Sequence, residues 1–368
     1  MTSVVFTPSV IAALAMTGLW MFALINVTPI MLWLERRAPA FMQDRLGPNR
    51  LGPLGLFQAI ADVLKFIFKE DVNPAGADKF LFLLAPTIGF VASLLTYLVI
   101  PFGPEVTVAG HTFPLVVIDS DAGMLMFLAL ASLGVYGLVL AGYSSNNKWS
   151  LMGGIRASAQ MVSYELALTV AVLAALIPAG SLNLSRVVEH QIAGTLLGFL
   201  PAWNVFTQPL GFLVFLVAAF AETNRTPFDL PEAESELVAG YHTEYGGLRM
   251  ALFYMGEYQS MAILSALGVT LFFGGWSLPG VDAAAAGAWI AGLPVVGPLL
   301  GPGLGTALFG FSVLIAKTYI ALFGFIWVRW TFPRFRYDQL MHLGWKVLLP
   351  IALLNFVVVA ALAVAGKL

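Results

Sequence analysis

The chain has no cysteine among its 368 residues. That excludes disulfides, thiolate zinc sites and cysteine-held iron–sulfur clusters within it. Charge is scarce too. Asp, Glu, Lys and Arg make up 10% of the residues and hydrophobic types 59%, whereas a soluble domain carries about 25% charged residues. An integral membrane protein follows. The histidines His111, His190, His242 and His342 are scattered without HExxH or His-x-x-His spacing, so neither a haem nor a metal site is expected. A net charge of −2 gives no case for nucleic acid. The first apolar stretch lacks a basic leader and is too long for a cleavable signal, so it is expected to remain as an anchor.

Long apolar runs are what the chain has instead. A window of about 20 apolar residues crosses the hydrocarbon core, and eight spans are expected: 10–34, 80–101, 122–143, 158–178, 208–223, 251–274, 306–328 and 347–366. The runs lack the alternation of a membrane barrel. Helices, which satisfy their own backbone in lipid, are therefore expected. Apart from Arg186, Lys317 and Lys367, all 18 Lys and Arg residues lie in or beside the loops after the odd-numbered spans. Those loops (35–79, 144–157, 224–250 and 329–346) should face the cytoplasm or its equivalent, with both termini on the other side. The expected fold is an all-α integral membrane protein, a single membrane domain over 1–368. It has eight transmembrane helices, an interfacial amphipathic helix and ordered inside loops.

The amphipathic helix is the stretch Leu54–Lys69. Leu54, Phe57, Ile60, Ala61, Leu64, Ile67 and Phe68 recur at helical spacing, and Gln58, Asp62, Lys65 and Lys69 form the polar face. It reads either as a surface anchor or as a lip through which a lipid-soluble molecule enters, with Asp62 and Lys65 turned inward. The outside stretch 275–305 is rich in Gly, Pro and Ala and reads as a passive cap or a variable insertion.

Ionisable groups at membrane depth cost at least a few kcal/mol and are functional candidates by default. Glu165, Glu222 and Glu257 all fall in the inside half of their spans, and Lys317 lies near the middle of its own. They read either as mutually paired charges that fix helix packing or as a hydrated proton path tuned by Lys317. The stretch 222–245 holds six of the chain's 20 acids and a single Arg. Pro227 should end the fifth span near Thr226, and Asp229-Leu230-Pro231 reads as a fresh helix start with Glu232 and Glu234 at its positive end. A solvated acidic helix is one reading of this loop. Against it, Phe228, Leu230, Leu237, Val238 and Tyr241 are apolar enough to pack on other protein.

At these residues the sequence resembles a known family, the H-type membrane component of respiratory complex I, the proton-pumping NADH:quinone oxidoreductase. The matching segments are Glu35-Arg36-Arg37, Arg45-Leu46-Gly47-Pro48-Asn49-Arg50, Phe68-Lys69-Glu70-Asp71, Ser163-Tyr164-Glu165, the block from Ala221 to Tyr245, Gly256-Glu257-Tyr258, Lys317, and Pro333 to Leu340. The resemblance implies the membrane half of a quinone chamber, roofed by peripheral subunits that hold FMN and iron–sulfur clusters, with none of these cofactors bound by this chain. Quinone, the substrate, would come in between the first span, the amphipathic helix and the sixth span, passing Arg36, Asp62 and Lys65. Arg225, Phe228, Asp229, Glu232, Glu234 and Glu236 would border the chamber together with Glu222. Glu165, Glu222 and Glu257, with Lys317 as a modulator, would relay protons towards antiporter-like membrane subunits. One departure stands out: some bacterial members carry a glutamate where this chain has Ser132. The alternatives are the equivalent subunit of a ferredoxin:plastoquinone oxidoreductase or of a membrane-bound hydrogenase, and a secondary transporter. The last is weakened by the lack of internal repeats.

Overall fold

The computed structural model describes residues 8–108, 111–196, 200–230, 237–292 and 297–366. The chain is built from helices: α1 (Pro8–Met42), α2 (Gln58–Phe68), α3 (Lys79–Thr96), α4 (Gly123–Ser144), α5 (Lys148–Leu176), α6 (Leu184–Ala193), α7 (Asn204–Thr207), α8 (Pro209–Glu222), α9 (Gly247–Phe272), α10 (Ala283–Ala291), α11 (Gly297–Thr331), α12 (Tyr337–His342) and α13 (Leu349–Val364). Among the described residues, β structure amounts to two short hairpins, Val106–Val108 with His111–Phe113 and Thr195–Leu196 with Leu200–Pro201. Five described stretches are long and apolar enough to cross a membrane: Lys79–Val99, Gly123–Ser144, Lys148–Leu176, Gly303–Thr331 and Tyr337–Val364. The last is one rod, because a π-helical turn over Leu343–Leu348 joins α12 to α13.

Local chemistry sets where helices begin and end. Asp78 opens α3 by accepting from the Phe80 and Leu81 amides at 3.0 and 3.2 Å. Asn147 does the same for α5 through the Trp149 amide at 2.9 Å. These side chains satisfy amides that a helix start leaves unpaired. The end of α8 comes before the position expected from Pro227. Its last helical residue is Glu222, and Asn224 follows in the left-handed region at φ 50°. Asparagine tolerates that conformation and closes helices this way. The stop is a C-cap rather than a proline break.

The interior is organised on α5 and α9. From Met261 to Phe272 every residue of α9 is buried, so this helix is apolar all round and shows no single hydrophobic stripe. One large cluster joins α1, α5, α8, α9 and α11 through Tyr164, Phe215, Phe220, Tyr258, Leu267, Phe272 and Phe325. A smaller one gathers Phe82, Leu138, Met161, Tyr241, Tyr245 and Phe253. Here α4 and α5 cross so closely that a Cβ on Gly142 would meet the Ser150 carbonyl at 2.6 Å. Small residues permit such approach between helices in lipid. Burial pushes the Tyr245 phenol up to about 12, against smaller opposing effects of its Ser144 hydrogen bond and of Arg249.

The amphipathic helix α2 starts at Gln58, later than expected, because Leu54 sits in a tight turn with φ 58°. Ile60, Val63, Leu64, Ile67 and Phe68 face outward. Arg37 and the Trp33 indole tie the turn to α1 by donating to the Leu54 carbonyl at 2.6 and 3.0 Å. The stretch read as a passive cap or a variable insertion contains α10, which packs on α11 with Gly287 against Thr306.

Candidate functional site

Glu257 and Tyr258 are neighbours on α9, so their side chains leave the helix about 100° apart. They face two different cavities. The first, about 90 Å³, lies between α3, α4, α5 and α9 and is lined by both Glu222 and Glu257, with Ser93, Thr96, Thr223, Asn224, Tyr241 and Ser260 as its other polar groups. A water needs roughly 10–15 Å³ of such space, so the cavity accommodates several. Glu222 stands at the end of α8, and its Oε2 is buried with no hydrogen-bond partner among the described residues. Glu257 accepts a hydrogen bond from the Tyr241 hydroxyl at 3.0 Å and pairs with Arg225 at 3.3 Å.

The second cavity is larger, about 610 Å³, and opens at the C-terminal ends of α1 and α11. Glu35, Arg36, Arg45, Tyr258, Arg329 and Trp330 line it. Glu35 is only 7% exposed; it accepts from the Tyr258 hydroxyl and is bridged to Arg329. A buried carboxylate needs this kind of double pairing, since an isolated one is costly to desolvate. Arg36 also reaches Asp62 on α2 at 2.6 Å, which ties the amphipathic helix to the α1 wall of the cavity. Lys65, on the same helix, is exposed.

Arg225 joins the two sites. Its guanidinium lies over the Tyr258 ring, 4.4 Å from the centroid, while it pairs with Glu257. Planar stacking combined with ion pairing is what an arginine does and a lysine does not. A succession of polar contacts therefore runs from Arg329 and Glu35 through Tyr258 and Arg225 to Glu257, Tyr241 and the inner cavity with Glu222. Glu165 on α5 is near enough to Glu222 for their charges to interact. The Ser132 hydroxyl of α4 is hydrogen-bonded to Glu165.

Other candidates have different surroundings. Asp229 is buried and pairs with Arg334 at 2.8 Å. Phe228 packs between Tyr164 and Phe335, with ring centroids 5.6 and 5.5 Å away, and lines neither cavity. Glu232, Glu234 and Glu236, with the helix start expected at Pro231, lie outside the described residues. Lys317 is not brought to any of the three glutamates. Its ammonium donates to the carbonyls of Phe273 at 2.7 Å, Gly275 at 3.0 Å and Ser277, and lies 4.4 Å from the Trp203 ring centroid. From Glu257 to that end of α9 is roughly 24 Å at 1.5 Å per residue. A lysine inside an apolar span suggests an acid partner, but the C-cap carbonyl of Phe273 and those of the turn that follows it accept three N–H groups equally well.

Sequence reasoning passed over Gln160 and took Tyr241 only as an apolar packing residue, whereas its hydroxyl donates to Glu257. Gln160 is fully buried, and its amide donates to the carbonyls of Ala221 at 2.8 Å and Phe228 at 2.7 Å, with Asn224 Oδ1 at 3.1 Å. It pins the loop that carries Arg225 onto α5. Its neighbours Ser158 and Ser163 are polar as well, so nothing in the sequence set Gln160 apart.

The sequence profile of the NADH dehydrogenase family matches residues 14–360. The chain belongs to that family. Similar family members include the H-type chain of the NADH-quinone oxidoreductase of Salinibacter ruber, 49% identical over 95% of this chain and 96% of that one. The eighth subunit of the NADH-quinone oxidoreductase of Rhodothermus marinus is 48% identical over 94% and 96%. An H-type chain of the same enzyme from Geobacter sulfurreducens is 46% identical over 94% of each. Both cavities, and the contacts between them, fall inside the region matched to the NADH dehydrogenase family.

Proposed function

We propose that the chain is the membrane subunit of a proton-translocating NADH:quinone oxidoreductase that holds quinone at its junction with the peripheral arm. The polar contacts that link the second cavity through Arg225 to Glu257, which shares the first cavity with Glu222, carry this reading. A space of about 610 Å³ is within the size range of small-molecule sites. Its position behind α1 and α2 suits a lipid-soluble substrate arriving from the bilayer. Eight helices cross the membrane in this reading (α1, α3, α4, α5, α8, α9, α11 and α12–α13), with both termini outside, in a bacterial plasma membrane or an organelle equivalent. Other complex I subunits cover the inside loops and supply FMN and the iron–sulfur clusters, and this chain binds none of them.

Two-electron reduction of a quinone places negative charge on its oxygens. In a poorly solvated site that charge acts strongly on nearby ionisable groups. Arg36, Asp62 and Lys65 flank the approach. Arg225, Asp229, Glu232, Glu234 and Glu236 border the chamber, with Phe228 packed beneath as an anchor. A change of charge in the outer cavity alters the Glu35–Tyr258–Arg225 set and then the protonation of Glu257, Glu222 and Glu165. Lys317 contributes as a clasp at the far end of α9. The test is membranes carrying Glu222→Gln or Glu257→Gln in the assembled complex: protons translocated per electron should fall while NADH:quinone reduction persists in part. Quinone reduction and pumping both at the unsubstituted level would remove the relay.

A further inference from the structure

Ser132 lies on the border between the packed and the exposed sides of α4, next to Leu133 and Tyr136, which are 45% and 62% exposed. Across the seam, Glu165 sits beside Val162 and Leu166 of α5, 49% and 44% exposed. The Ser132 Oγ has two acceptors within reach: Glu165 Oε1, and the Leu128 carbonyl one turn back at 3.0 Å. A hydroxyl has one hydrogen and can serve only one of them at a time.

We infer that Ser132 is a positioning residue that gives Glu165 a partner in both of its protonation states, its hydroxyl turning between the Glu165 carboxyl and the Leu128 carbonyl. The inference rests on the relay reading above and deepens it. When Glu165 is ionised it can only accept, and the Ser132 hydrogen points to Oε1. When Glu165 holds a proton it has a hydrogen of its own. It then donates to Oγ, and the Ser132 hydrogen passes to the Leu128 carbonyl. One proton arrives at and leaves Glu165; the Ser132 hydrogen never leaves Oγ. Among the described residues α4 carries no Asp, Glu, Lys, Arg or His, its titratable groups being the exposed Tyr136 and Tyr143, and Glu222 of α8 is near enough to interact with Glu165. Neither state of Glu165 is stranded in the apolar seam, and the residue can cycle. A hydroxyl at this position thus does by rotation what a second titratable group would do by ionising.

The measurement is pH-step infrared difference spectroscopy on the intact complex, with the Glu165 carboxyl band identified by its loss in Glu165→Gln. Protons pumped per electron are measured in parallel on sealed vesicles. Ser132→Ala should move the band to the frequency of an unbonded carboxyl. It should also lower the ionised-to-protonated ratio about tenfold, the excess of a charge-assisted hydrogen bond over the neutral one that the protonated form loses. Ser132→Thr, which keeps the hydroxyl, should restore both. A band unmoved in Ser132→Ala, equal shifts in Ala and Thr, or no Glu165 band at any pH would each overturn the inference. Normal pumping by Glu165→Gln removes the relay reading instead, and the band response then decides Ser132 by itself.

Discussion

Replacing Arg225 with methionine tests the junction between the two cavities directly. The Arg225 and Glu257 side chains are only 6% and 11% exposed, so this is a buried pair. Removing one member of such a pair costs about 3–5 kcal/mol, because the other is left charged in a poor solvent. There is a ceiling on that loss. Glu257 can take up a proton, and doing so at pH 7 from an ordinary glutamate value near 4.3 costs about 3.7 kcal/mol. The Tyr241 hydroxyl remains as one partner, so a loss of about 3 kcal/mol is expected. Adding Glu257→Gln to Arg225→Met removes the stranded charge and should recover much of it, although the second substitution by itself is destabilising. The contact of Arg225 with the Tyr258 ring is lost in both variants and cancels in the comparison. The assay is the thermal midpoint of the intact complex for the four members of the cycle. A double variant no more stable than Arg225→Met, with additive effects, would refute the idea that the two side chains form one electrostatic unit.

Three further outcomes are expected. Lys317→Met strips three carbonyls of their donor and should lower the thermal midpoint by an amount equivalent to about 1–3 kcal/mol, while protons pumped per electron stay unchanged in vesicles; a lost pumping ratio would return Lys317 to the relay. Gln160→Leu leaves the Ala221 and Phe228 carbonyls unpaired in a fully buried site, and should cost about 1–3 kcal/mol and reduce quinone reductase activity by displacing Arg225, as steady-state assays of the purified complex will tell. Tyr258→Phe takes away a hydroxyl that Glu35 accepts from and should lower kcat/KM for quinone by about tenfold, the equivalent of roughly 1.4 kcal/mol, with the NADH oxidation step unaffected when an artificial acceptor is used.

Composition and order decided much of this protein before any packing. The scarcity of charge and the long apolar runs dictate spanning helices, because a backbone in lipid must satisfy itself. The acids in the runs advertise themselves by their cost, so Glu165, Glu222 and Glu257 were legible one by one. The amphipathic pattern of α2 was legible from its spacing. What the chain order cannot express is which of two adjacent side chains faces which space. Glu257 and Tyr258 differ by one position, yet they open on separate cavities, and Arg225, from another segment, touches both side chains. Lys317 marks the opposite limit. Its charge looked unmatched because sequence shows acids but not free carbonyls, and the carbonyls at the end of α9 become its partners only once α11 packs alongside. Burial cost is a property of a residue type and can be read from the letters; the partner that offsets it is a property of the packing, because it comes from elements far apart in the chain.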